Sequence, residues 1–310
     1  MPQHIVIGAN AHVDLTALLH SARPDLEIRG NRYTDLTEDD LAWGDTYIGF
    51  RRPPLPTMGN IRWVHCTGAG VDSWLYPTEL PREIMLTRTS ESFGPAIAEW
   101  ALTRALTIAQ HILPLQDAQR AHQWAPRDTV MLRGSKILVV GTGDVGTHVA
   151  RLFAALGAHV TGMSRTGRGD RAVFADVVRV SELRAALGPF EWIILTVPLT
   201  HDTRHLFNRD VLSRCNGAAL INAGRGAVVE ERALSEALNS GWIRAAALDV
   251  FELEPLPPDS PLWDDARVIV SPHMSGLTTT EGAATGFLEC LSTFERGETP
   301  PWLVDRERGY

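Results

Sequence analysis

Three segments in the second half of the chain place titratable side chains where short apolar runs end. "INAGRGAVV" sets Arg225 between two glycines, "ALDVFELEPLPPDSPLW" carries Asp249 at the end of a run and Glu254 in a proline-rich loop, and "VIVSPHMSG" sets His273 just past another run. A guanidinium grips a carboxylate or phosphate, and an imidazole near a carboxylate can give and take a proton at neutral pH. Taken singly, each residue has an ordinary alternative. Arginines in glycine turns are often surface charges, glutamates in proline-rich loops are usually solvated, and a histidine after a strand is usually structural. In a parallel sheet, however, the carboxyl ends of the strands form the ligand crevice. All three segments would then deliver polar groups to one edge.

A ligand for that edge is written upstream, in "VVGTGDVGTHVARLFAALGAHVTGMSRTGR", from Val139 to Arg168. Gly141, Gly143 and Gly146 give G-x-G-x-x-G between the strand-like "KILVV" and a helical pattern opening at Asp144 and Val145. The first glycine allows a tight turn, the second lets a pyrophosphate approach the backbone, and the third lets helix and sheet pack closely. The helix start then offers free N–H groups to phosphate. A second strand, "AHVTGM", follows. At its end a carboxylate would bind the ribose hydroxyls of NAD and repel the extra phosphate of NADP. The chain instead supplies Ser164, Arg165 and Thr166, with Arg168 close by and Asp170 deeper in the loop. A planar guanidinium suits a phosphate dianion, so the expected cofactor is NADP(H) in preference to NAD(H). The plainer reading, that Arg165 and Arg168 are solvated loop charges, stays open here.

The elements that must position these residues follow from periodicity. "HIVIGA", "DTYIGF" and "IRWVHC" read as strands and "VDLTALLHSA" as a helix, giving a small α/β unit over the first ninety or so residues. "GPAIAEWALTRALTIAQHILPLQDAQRAHQW" has a helical period that Pro114 should kink or interrupt. After Gly134, strand and helix patterns alternate through "EWIILTV", "AALINA", "AAALDV" and "RVIVSP". Apolar strands without polar alternation fit a parallel sheet covered on both faces. "GFLECLSTFERG" closes the chain with a helix.

Bulk properties set the outer limits. The 310 residues are enough for two domains, and 44% hydrophobic with 21% charged is ordinary globular composition. A net charge of -8, from 29 basic and 37 acidic residues, argues against a nucleic-acid surface. Cys66, Cys215 and Cys290 form no CxxC pair and read as buried thiols of a reducing compartment. No metal-ligand spacing, signal peptide or membrane-length apolar run is visible, so a cytoplasmic location is expected.

The ordered set "GAGVD", "FGPAIAEWAL", "GTGDVG", "TVPLTHDTRHLFN", "INAGRGAVVEERAL", "ALDVFELEPLP" and "SPHMSG" covers nearly the whole chain. It resembles the D-isomer-specific 2-hydroxyacid dehydrogenase family. The resemblance implies an α/β fold: a Rossmann-type doubly wound parallel sheet over residues 96–274, plus a smaller flavodoxin-like domain from residues 1–95 with 275–310. It implies that Arg225 binds and polarises the substrate, that His273 is the acid and base, and that Glu254 pairs with His273 and favours its protonated form. It places Asp249 at the nicotinamide carboxamide, and Val197, Pro198, Asn222 and Ala223 along the cofactor. The backbone N–H groups of Ala69, Gly70 and Val71 would meet the substrate carboxylate. The implied substrate is a small 2-oxo or 2-hydroxy acid, glyoxylate or hydroxypyruvate above all, and the implied assembly is a homodimer. Arg51 and Arg52 lie where related reductases reach their substrate, although Pro53-Pro54 could equally hold both in solvent. Glu99 reads as structural, and Trp124 as a residue that could reach a neighbour's site. The alternative from another class is a dinucleotide-sensing corepressor of the same fold, which shape alone does not separate from an enzyme.

Overall fold

Runs of aliphatic residues without polar alternation need cover on both faces, and the chain distributes them over two parallel sheets of five and seven strands. The computed structural model describes residues 4–76, 78–89, 93–276 and 278–309. They fall into two units, Met1–Glu91 with Leu277–Tyr310, and Ser92–Gly276.

The first unit runs β1 (His4–Gly8), α1 (His12–Ala22), β2 (Glu27–Asn31), α2 (Glu38–Trp43), β3 (Thr46–Ile48), β4 (Trp63–Cys66), α3 (Asp72–Leu75) and β5 (Met85–Arg88). Its sheet order is β2-β1-β3-β4-β5, the flavodoxin-like order. The period of two along a strand divides its core. Ile5 and Ile7 pack with Leu15 and Leu19 of α1 and with Phe287 and Leu291 of the chain's last helix, while Val6 faces Tyr47, Val64 and Trp74 on the other side. A buried polar strap joins β4 to β5. Thr87 Oγ1 accepts from Trp63 Nε1 at 2.8 Å, and the His65 ring lies between the hydroxyls of Thr87 and Thr89 at 2.8 and 3.1 Å. Complete burial lowers the His65 pKa to about 3, so the ring is neutral.

The second unit opens with α4 (Gly94–Ala109) and α5 (Ile112–Arg120). The expected interruption falls at Gln110-His111, ahead of Pro114, where His111 takes a left-handed φ of 52°. The proline therefore falls in the first turn of α5, where its missing N–H costs no helical bond. There follow β6 (Lys136–Val140), α6 (Asp144–Ala155), β7 (His159–Ser164), β8 (Asp176–Arg179), α7 (Leu183–Ala186), β9 (Trp192–Leu195), α8 (Arg209–Leu212), β10 (Ala218–Asn222), α9 (Glu231–Asn239), β11 (Ile243–Leu248) and β12 (Val268–Val270). The sheet order β12-β11-β10-β9-β6-β7-β8 reverses direction between β6 and β9. The glycine loop leaves β6 at that switch point, where doubly wound sheets open a crevice. The last helix, α10 (Thr280–Glu295), returns to the first unit, its start capped by Thr279, whose hydroxyl accepts from the Gly282 N–H at 2.9 Å.

All three cysteines are buried and free of disulfides. Burial pushes Cys215 and Cys290 up to about 12 and about 11, which keeps both thiols protonated. Among the described residues, no helix is long and apolar enough to cross a membrane, and no cluster of His, Cys, Asp and Glu could hold a metal ion.

Candidate active site

The glycine loop is built for close approach. Gly141 has φ +108°, and a Cβ on Gly146 would stand 1.8 Å from the Gly141 carbonyl oxygen, so neither position accepts a side chain. Gly143 differs, because a Cβ there would meet nothing within 4 Å. Its glycine keeps space open on the ligand side instead of relieving an internal clash. Gly143 is also the N-cap of α6 and brings no side-chain acceptor, so the first-turn N–H groups are presented as an anion site. These features fit a dinucleotide pyrophosphate.

The turn after β7 is closed by its own residues. Ser164 Oγ donates to the Arg168 carbonyl at 2.8 Å and accepts from the Arg168 N–H at 3.0 Å. Thr142 Oγ1, from the glycine loop, donates to the same carbonyl at 2.7 Å. Ser164 thus shapes the backbone, while Arg165, Thr166 and Arg168 are exposed. Val197 and Pro198 follow β9, and the Pro198 carbonyl accepts from Thr203 Oγ1 at 2.7 Å. Asn222 is buried at the end of β10. Its amide accepts from the Gly224 N–H and donates to the Arg225 carbonyl, both at 3.1 Å, so it frames the turn that presents Arg225 beside the buried Ala223.

His273 and Glu254 meet: Nδ1 lies 2.8 Å from Glu254 Oε2. An ionised carboxylate only accepts, so Nδ1 carries the proton and Nε2 is the other ring nitrogen. Glu254 Oε1 accepts from the Phe251 N–H at 3.1 Å. Burial alone would raise the Glu254 carboxyl. The His273 hydrogen bond and charge, the Phe251 N–H and the charge of Arg225 outweigh it and hold Glu254 below its ordinary 4.5. Arg225, Glu254 and His273 therefore form one electrostatic group. Its Arg225 Nη1 donates to the Gly224 carbonyl at 2.8 Å.

Asp249 is fully buried. Its Oδ1 accepts from Ser271 Oγ at 2.6 Å and the Met274 N–H at 3.0 Å, and its Oδ2 from the Ser275 N–H at 2.8 Å. Its carbonyl takes the His273 N–H at 2.8 Å. All these donors belong to the loop that holds His273 at a left-handed φ of 50°. The carboxylate at the end of β11 is thus engaged with that loop.

A second clamp, not read from the sequence, joins the Arg225 and Glu254 loops. A Cβ on Gly226 would fall 1.8 Å from the Phe251 carbonyl carbon, so only glycine allows the two loops to meet. Beyond it, Glu231 N–H donates to Glu252 Oε1 at 3.0 Å and Glu252 N–H to Glu231 Oε1 at 2.7 Å, with His205 Nε2 3.2 Å from Glu252 Oε1. Burial raises the Glu231 carboxyl, and the like charge of Glu252 adds to that against the lowering effect of the Glu252 N–H.

The first unit carries the other named residues. Ala69 and Gly70 are half-buried and Val71 is buried ahead of α3. Arg51 is exposed with its guanidinium 5.9 Å from the Tyr33 ring centre, and Arg52 Nη1 donates to the Thr78 carbonyl at 3.0 Å. Glu99 is exposed on α4, and Trp124 is 98% exposed.

Comparison with known proteins agrees with this geometry. Residues 102–275 match the family model described as D-isomer specific 2-hydroxyacid dehydrogenase, NAD binding domain. Glyoxylate/hydroxypyruvate reductase A of Serratia proteamaculans is 33% identical over 272 residues, covering 84% of this chain and 86% of that protein. A D-isomer specific 2-hydroxyacid dehydrogenase from Xanthobacter autotrophicus, solved with NADPH and MES, is 32% identical with a TM-score of 0.87 and covers 100% of both chains. The NADPH-dependent glyoxylate/hydroxypyruvate reductase of Sinorhizobium meliloti, solved with NADP and sulfate, is 27% identical with a TM-score of 0.87 over 99% of this chain and 100% of that one. With a glycine loop at the switch point of one parallel sheet and an Arg-Glu-His group on the same unit, the chain belongs to the D-isomer specific 2-hydroxyacid dehydrogenase family, enzymes that use a nicotinamide dinucleotide.

Proposed function

We propose that this protein is an NADP(H)-preferring reductase of a small 2-oxo acid, with glyoxylate and hydroxypyruvate the first candidates. The observation that carries the reading is the 2.8 Å His273–Glu254 pair within reach of the Arg225 charge, at the carboxyl edge of the sheet that bears the glycine loop. Arg225 holds the substrate carboxylate and polarises the neighbouring carbonyl. His273 gives the Nε2 proton to the carbonyl oxygen as the carbonyl is reduced, and takes it back in the reverse direction. Glu254 holds the imidazole in that orientation and stabilises its cationic form. The bound dinucleotide supplies or accepts the hydride. Gly141, Gly143, Asp144, Val145 and Gly146 hold its pyrophosphate, with Val197, Pro198, Asn222 and Ala223 along its length. Asp249 belongs to the site as the anchor of the His273 loop. The amides of Ala69, Gly70 and Val71 receive the substrate carboxylate, with Arg51 a further guanidinium on that unit.

NADP(H) preference is supported by exposed Arg165 and Arg168 in a turn that lacks a carboxylate at the end of β7, and by the NADPH and NADP found in the two solved relatives. A homodimer fits the exposed apolar side chains Leu106, Ile112, Leu113 and Leu115 on α4 and α5, with Trp124 and Met131 in the segment that follows. The test follows loss of reduced-nicotinamide absorbance with glyoxylate and hydroxypyruvate, NADPH against NADH, with Arg165→Asp in parallel. The expected result is a higher kcat/KM with NADPH, reversed or abolished in the variant. Preference of the wild type for NADH would overturn the cofactor reading, and no turnover of any 2-oxo acid would overturn the function.

A further inference from the structure

Arg88 ends β5 with a half-buried guanidinium, and among the described residues no carboxylate pairs with it. Its hydrogen bond runs from Nη1 to the Ala69 carbonyl oxygen at 3.2 Å. Burial lowers its pKa, against an opposing contribution from Cys66. A partly desolvated cation resting on a neutral carbonyl is poorly compensated.

The loop it touches has the complementary deficit. The N–H groups of Ala69, Gly70 and Val71 make no hydrogen bond among the described residues, although Val71 is buried and its two neighbours half-buried. Consecutive amides of a partly buried loop that find no acceptor within the described protein are left to water or to a ligand. Their carbonyls, in contrast, are pinned. Arg88 holds the Ala69 oxygen, and Cys66 Sγ donates to the Gly70 oxygen at 3.4 Å. In a planar trans peptide the N–H points opposite to its C=O, so fixing these two oxygens fixes the directions of the Gly70 and Val71 N–H groups. A charged donor on the carbonyl also polarises the peptide and strengthens its N–H as a donor.

We propose that Arg88 is a positioning residue for substrate, which aims the Gly70 amide at the carboxylate of a 2-oxo acid and supplies the positive charge behind it. The inference rests on the reductase reading above. Its residue sits in neither the Arg-Glu-His group nor the glycine loop, so its effect should fall on acid binding alone.

The experiment compares wild type, Arg88→Met and Arg88→Lys by steady-state kinetics at saturating NADPH. The thermal shift produced by oxalate, an unreactive mimic of the substrate carboxylate, is measured alongside. Arg88→Met should raise KM for glyoxylate at least tenfold, leave kcat within threefold and the NADPH KM unchanged, and lose the oxalate shift. Arg88→Lys keeps charge and a donor and should recover part of both. A glyoxylate KM within twofold of wild type, with the oxalate shift intact, overturns the proposal. So does a joint loss of kcat, NADPH binding and melting temperature, which marks a purely structural arginine. Wild type that neither reduces a 2-oxo acid nor responds to oxalate brings down the functional reading and this one with it. A working wild type with an indifferent Arg88→Met removes only this one.

Discussion

Replacing Asp249 with alanine would strand the donors that its carboxylate now satisfies: the Ser271 hydroxyl and the N–H groups of Met274 and Ser275. Each unsatisfied buried donor costs about 1–3 kcal/mol. Relaxation of the loop toward water recovers part of this, so about 3–5 kcal/mol is expected in total. For a unit of this size that lowers the melting temperature by roughly 6–20 °C. The same loop holds His273 in the left-handed region, a conformation that costs about 1 kcal/mol or more for a residue with a Cβ. Without Asp249 the loop should relax out of it and carry Nδ1 away from Glu254. A loss of kcat of about a hundredfold corresponds to about 2.7 kcal/mol of transition-state stabilisation. Asp249→Asn keeps one oxygen for two of the donors but turns an amide nitrogen toward the third, and should fall between wild type and alanine on both measures. The assay pairs thermal unfolding with kcat and KM for glyoxylate and for NADPH. If both variants melt with wild type and only the NADPH KM rises, Asp249 touches the cofactor directly and the anchoring argument is wrong.

Glu252→Ala should reduce kcat/KM about fivefold by loosening the loop that carries Glu254, since one net hydrogen bond is worth about 1 kcal/mol. Glu252→Gln, which keeps an acceptor for the Glu231 N–H, should recover most of it, and kinetics of both variants within twofold of wild type would show that the clamp is idle. Because Glu254 titrates below its ordinary 4.5 when folded, its stabilisation is complete above that pH and is lost as pH falls through the folded value. Urea midpoints of wild type and Glu254→Gln should therefore converge in acid, and a constant gap from neutral pH to below 4.5 would refute the depressed carboxyl.

Both sheets were legible because their central strands are uninterrupted aliphatic runs, as in "KILVVG" and "EWIILTV", where burial on both faces leaves little ambiguity. Strands β2 and β8 were missed for the converse reason. They are edge strands with few buried side chains, "EIRGN" and "DVVR", and an edge needs no apolar run. The pairing of Glu254 with His273 could be expected from the motif order. The anchoring by Asp249 could not, because it depends on hydrogen bonds between segments 22 to 26 residues apart. Likewise nothing in "INAGRGAVV" tells that Gly226 is required by Phe251, since that contact exists only once the two loops fold together. Ser164 shows the limit most directly. Its hydroxyl read as a ligand group, and the structure uses it on the backbone of its own turn.

That turn has a consequence for how such enzymes change partners over evolutionary time. Its backbone is fixed by Ser164 and, across from the glycine loop, by Thr142, while the side chains at 165 and 166 point outward and hold nothing else in place among the described residues. On the proposed cofactor reading, discrimination between two cofactors differing by one phosphate is separated from the architecture that holds the dinucleotide. Mutational drift at those two positions can retune the choice without disturbing the sheet, whereas a change at 142 or 164 alters the frame itself.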